Sequence, residues 1–168
     1  MDSVIPCSHP MPAKKKIPAA DFVAAARREF GYLVDVFGFE EDKNREKVKG
    51  PRTVCFSSPT QLVTVEGIPI TSTVQVNVTV MASEGEEPVR LALPALVEMR
   101  APGARLVAAD LLAQLAHDAG LLRQHAADIL KGDEKAKQAA EKLAEEIERA
   151  EKREKKHQQA QMQNPGVA

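Results

Sequence analysis

The chain has 168 residues, with 23 Lys and Arg against 24 Asp and Glu, for a net charge of −1 at neutral pH. That balance gives no electrostatic case for nucleic acid or an anionic membrane as the main partner. Five Phe, one Tyr and no Trp are too few rings for a base-stacking or sugar-binding surface.

Cys7 and Cys55 lie far apart and form no ligand-like pair. No apolar run approaches the ~18 residues of a membrane span, and the first residues lack the apolar core of a secretory signal. We therefore expect a cytoplasmic protein with free thiols, no cofactor and no metal site. Residues 1–18 contain four prolines and the run Lys14-Lys15-Lys16 without periodicity, the pattern of a disordered arm. Cys7-Ser8-His9 within it has the residue types of a metal site or a Cys–His pair. A loose arm cannot hold such a pair in place, and a metal needs further ligands.

Phe22, Ala26, Phe30, Leu33 and Phe37 recur at steps of four, four, three and four, which predicts one helix over residues 20–37. Asp21 suits its first turn and Gly38 its end. Residues 40–50 mix both charge signs and predict a solvated loop.

Strands are expected at 52–57, 61–66, 70–82 and 89–93, separated by turns at 58–60, 67–69 and 83–88. This is an antiparallel meander, with a brief helical turn at 95–99 after Pro94. The register should be set by residues 73–80, Thr-Val-Gln-Val-Asn-Val-Thr-Val. Its four valines fall on a buried face and Thr73, Gln75, Asn77 and Thr79 on the other. Those four polar residues form a candidate protein-contact face if no helix covers them. Cys55, between Val54 and Phe56 with no base beside it, reads as a half-buried strand residue and not as a nucleophile.

Ala108, Leu112, Leu115, Ala119, Leu122, Ala126 and Ile129 predict a core helix over 104–131. His117 and His125 are eight residues apart, roughly 80° on the helical wheel, so they are not a zinc pair. His117-Asp118 and His125 with Asp128 are expected as ordinary polar-face contacts. Gly132-Asp133 fits a stop and a new cap. Yet Ala136, Ala140, Leu143, Ile147 and Ala150 keep the same phase, so a bent continuous rod is also open. Past Asp133, pairs such as Glu145–Arg149 and Glu148–Lys152 predict a solvated helix fraying near Gln158. The expected organisation is an arm at 1–18, an α+β domain at 20–132, a charged helix at 133–160 and a disordered tail at 161–168.

A helix ending Phe37-Gly38-Phe39 is followed by a meander containing Val54-Cys55-Phe56-Ser57-Ser58-Pro59 and a late helix ending Ile129-Leu130-Lys131-Gly132-Asp133. In that order of parts the segment 21–133 resembles a group of small uncharacterised bacterial α+β proteins. Some similar small proteins are immunity partners of secreted toxins. The resemblance implies an architecture and supplies no catalytic, cofactor-binding or metal-binding residue.

The chain has no phosphate-binding glycine loop, nucleophile elbow, His–Glu zinc helix or Cys-x-x-Cys pair. The favoured expectation is a non-catalytic module that binds another protein, an immunity-type inhibitor being one version. The alternative is an oligomeric structural or adaptor subunit joined through the charged helix. An enzyme whose site is assembled from scattered residues is the third and weakest.

Overall fold

The computed structural model describes residues 16–163. Cys7-Ser8-His9, most of the expected arm and residues 164–168 lie outside the described residues. The fold is α+β, with helices packed on one face of an antiparallel sheet.

Two strands carry the register. Strand Gln61–Ile68 pairs with strand Thr73–Val80 along its full length, aligning Val63 with Val78 and Val65 with Val76. Strand Thr53–Ser57 adds Val54 opposite Val65 and Phe56 opposite Val63, and Val89–Ala92 adds Leu91 opposite Val78. Because side chains alternate, one face becomes a continuous apolar surface, each fully buried side chain contributing about 1.5–3 kcal/mol. A fifth strand, Glu40–Glu41, pairs with Ser57 and Phe56 at the edge. In chain order the strands are therefore β1 (Glu40–Glu41), β2 (Thr53–Ser57), β3 (Gln61–Ile68), β4 (Thr73–Val80) and β5 (Val89–Ala92), neighbouring in that same order.

Helices α1 (Ala19–Glu29) and α2 (Tyr32–Asp35) replace the single helix expected over 20–37. The break falls at Phe30 (φ −95°, ψ 6°), yet Gly31 remains right-handed helical. Phe22, Ala26, Phe30 and Leu33 therefore all reach the core, and the apolar spacing conceals the interruption. Helix α3 (Lys43–Lys49) and β1 occupy the segment expected as a solvated loop. The Asp42 side chain caps α3 by accepting from the Arg45 amide at 3.1 Å.

The expected strand over 70–82 starts later. Ile70 lies in the β3–β4 turn and is 95% exposed, while β3 continues to Ile68. The brief turn expected at 95–99 is a two-turn helix, α4 (Leu93–Arg100), with Pro94 in its first turn.

The helix expected over 104–131 is shorter and divided. Residues 104–110 are irregular and are followed by α5 (Leu111–His125) and α6 (Ala127–Leu130). Asp110 sets the start, its Oδ1 accepting from the Ala113 amide at 2.8 Å. Ala108 thus falls outside the helix, and Leu112 is 38% exposed.

Gly132 (φ 71°) ends the run, and Asp133 caps α7 (Glu134–Gln163) by accepting from the Ala136 amide at 2.7 Å. The rod is broken there. Thr60 donates to the Gly132 carbonyl at 3.1 Å and buried Gln61 donates to that of Ile129, fixing the junction to the start of β3. Ala136, Ala140 and Leu143 are buried against the body, whereas α7 is exposed from Glu148 and remains helical past Gln158.

Val78→Asp is expected to abolish cooperative melting, because it places an unpaired carboxylate in the core. Gln75→Lys, on the open face and opposite Glu66, should shift stability by less than about 0.5 kcal/mol. Thermal melts by circular dichroism compare the two. Gly132→Ala should cost about 1–2 kcal/mol, since it adds left-handed strain and a Cβ 2.8 Å from Thr60 Oγ1. Urea denaturation reads this loss.

Candidate binding cleft

The polar face of the sheet is covered unevenly. Thr53, Cys55, Leu62 and Thr64 on it are buried over β2 and β3. Over β4 it is open: Thr73 and Gln75 are exposed, Asn77 and Thr79 half-buried. The Cys55 amide donates to Glu46 Oε1 of α3 at 3.2 Å. Burial pushes the Cys55 thiol up, against a Thr64 hydrogen bond and the Lys49 charge that pull it down. A covered, protonated thiol is a poor nucleophile.

A cleft of about 760 Å³ opens at the end of the sheet where β3 turns into β4. Thr73 and Val74 form one wall, Arg105 and residues 107–112 another, and Lys16 and Arg52 also line it. The Arg52 guanidinium donates to the Ile17 carbonyl and so ties the chain entering α1 to the start of β2.

The irregular wall is held firmly. Asp118 is fully buried on α5 and takes two hydrogen bonds from Arg105, Nε to Oδ1 and Nη2 to Oδ2, both 3.1 Å. Gln114 Nε2 donates to the same Oδ1 at 2.8 Å, and its Oε1 accepts from the Ala108 amide at 2.7 Å. His117 Nε2 accepts from the Leu106 amide at 3.1 Å, which puts the ring proton on Nδ1. His117 and Asp118 are thus no ordinary polar-face pair: both brace the loop. His125 lends its carbonyl to Arg100, which also holds Asp128 in a two-point pair at 2.5 and 2.9 Å.

Despite this bracing the loop turns apolar side chains outward. Leu106 is 66% and Val107 89% exposed, and Val107 and the 38% exposed Leu112 give the cleft an apolar rim. Of the residues expected to make contacts, only Thr73 lines the cleft. The remainder of the cleft was hidden because residues 104–110 continue the spacing of the helix that follows them. The one local signal was Asp110, a capping residue directly before Leu111-Leu112.

Among the described residues, no three His, Cys, Asp or Glu side chains lie together as a metal site, and no helix is long and apolar enough to cross a membrane. No protein-family model, curated protein or solved structure matches the chain.

Arg105→Ala should cost about 3 kcal/mol, since it strands a buried carboxylate, and should expose residues 104–110 to proteolysis. Urea melts and limited trypsin or chymotrypsin digestion measure both effects. Cys55 should react with a thiol reagent at pH 8 only as fast as the native protein opens. Labelling at the rate of an unstructured thiol would contradict its burial.

Proposed function

We propose that the chain is a non-catalytic protein-binding module that engages its partner at this cleft. The supporting observation is the pairing of a rigid brace with an exposed apolar rim. A doubly hydrogen-bonded ion pair between buried Asp118 and half-buried Arg105 fixes a loop whose Leu106 and Val107 face solvent. Such side chains gain nothing from water, whereas covering them by a partner contributes about 25 cal/mol per Å². Clefts of this size, mostly apolar with a few fixed polar groups, suit recognition. An immunity-type inhibitor that occludes a toxin is one form such a module takes.

A second reading, an adaptor subunit assembled through α7, draws on the exposed helix beyond Ile147. Its surface is dominated by Glu, Lys and Gln, with Met162 the one large exposed apolar side chain there. That is a weak basis for a coiled coil.

Capture from the source cell separates the two when three versions are compared: the full chain, Leu106→Asp/Val107→Asp, and a chain ending at Glu151. Ending there keeps Ala136, Ala140, Leu143 and Ile147 in place. A stoichiometric partner lost only in the double variant, with unchanged melting, is the expected result. A partner or self-association lost only on truncation would favour the adaptor.

A further inference from the structure

The cleft has a cationic end and an apolar end. Helix α1 packs over β2 and α5 over β4, and the cleft lies between the starts of these two helices. The Arg52 carbonyl accepts from the Gly67 amide at 2.9 Å, and Gly67 stands opposite Val74. Arg52, Gly67 and Val74 thus form one row across three strands. Two strand spacings, about 10 Å, separate the ends of that row.

At the first end, Lys16 and Arg52 have no carboxylate within 4.0 Å among the described residues, and Arg52 uses one nitrogen to hold the Ile17 carbonyl. At the other end stand Leu112 and Val107, over a floor made by buried Val74. Asp110, where α5 begins, is the one carboxylate among the described lining residues. Arg105 is neutralised by Asp118, so two cations against one carboxylate leave the cleft a single net positive charge. The remaining polar side chains of the α5 wall are already occupied. Gln114 uses its amide nitrogen on Asp118 and its oxygen on the Ala108 amide, and Asp110 Oδ1 takes the Ala113 amide.

We propose that the cleft also binds a free amphipathic monocarboxylate of the medium-chain fatty acid class. Its carboxylate lies at Arg52 and Lys16, and its apolar body runs above Val74 to Leu112 and Val107. This goes beyond the protein-binding reading and does not depend on it. A volume of about 760 Å³ is within the range of small-molecule clefts. The single net charge matches a monoanion, and the scarcity of free polar groups disfavours a hydrophilic ligand. Asp110 repels a carboxylate from the apolar end, which leaves one orientation. Because the ligand covers Val107, it competes with a protein that docks on the same rim.

The test is an NMR titration of the full chain, labelled with nitrogen-15, with hexanoate, octanoate and decanoate below their micelle concentrations. Saturable amide shifts should centre on Thr73, Val107 and Leu112, and affinity should rise about threefold per added carbon. Decanoate should bind at about 1 mM or tighter, and octylammonium and octan-1-ol more weakly than octanoate. Arg52→Glu and, independently, Lys16→Glu should each weaken decanoate about fivefold and turn the preference towards octylammonium. Lys16→Glu covers the case in which losing the Arg52 bond to Ile17 loosens the fold. Asp110→Asn keeps a capping oxygen and should not weaken binding. Octan-1-ol binding as tightly as octanoate, indifference to both charge reversals, or shifts away from the cleft would overturn the proposal. So would shifts that spread through the core without saturating, which report detergent action. Displacement of decanoate by a synthetic peptide of residues 1–15 would assign the cleft to this chain instead. A captured partner that depends on Leu106 and Val107, with no decanoate bound in the cleft, would sink the ligand and leave the protein-binding module standing.

Discussion

The pairing of β3 with β4 is the constraint on which the remainder depends. Eight residue pairs in unbroken register put Val63, Val65, Val74, Val76, Val78 and Val80 on one side of the sheet. A slip of one residue would present the polar set to the helices and the valines to water, so the register is specified by burial along its whole length. Everything else attaches to that surface. The α1 and α2 stripe, the Leu115 and Leu122 side of α5, and Ala140 and Leu143 of α7 converge on the one core. Tyr32 adds a polar tie, its hydroxyl donating to the Ala119 carbonyl at 3.0 Å with Arg123 over its ring.

The strands were legible because period-two alternation and turn residues carry the same message locally and globally. The α+β class and the antiparallel meander follow from them. Where the sequence misled, a second structure satisfied the same spacing. Phe30 and Gly31 interrupt a helix without moving the apolar face, since the chain resumes helical geometry within one residue. Residues 104–110 continue the spacing of α5 while Asp110 caps a helix that begins only at Leu111. The mixed charges of 43–49 hide α3, whose order comes from the Asp42 cap and from Glu46 reaching Arg27 at 2.9 Å and the Cys55 amide. No periodicity reports contacts between residues so distant in sequence.

The candidate cleft was illegible for the same reason. It is made by Arg52, Thr73, Arg105 and residues 107–112, which only the fold brings together. Asp118 illustrates the gap best. A lone aspartate beside a histidine on a helix reads as solvated, and nothing near it in sequence announces Arg105 as the partner that makes its burial tolerable. The gain from such a buried pair over apolar packing is small or negative, so stability alone does not account for it. What it does secure is the position of a loop that would otherwise be free to fold its apolar side chains inward.

The two surfaces offered for interaction sit at opposite ends of β3 and β4. Helix α7 is anchored where Thr60 and Gln61 meet Gly132 and Ile129, while the cleft lies beyond Ile68 and Thr73. Eight residues of strand separate them by about 25 Å. Substitutions that far apart and without shared partners act additively, so each surface reports on its own role when altered. The exposed half of α7 is held by i, i+4 pairs such as Glu145–Arg149 and Glu148–Lys152, each worth about 0.3–0.5 kcal/mol and screened by salt. The cleft instead combines a fixed wall with Lys16 and Arg52, which have no carboxylate within 4.0 Å among the described residues. Preorganisation lowers the cost of ordering on binding, and of the two surfaces only the cleft is preorganised.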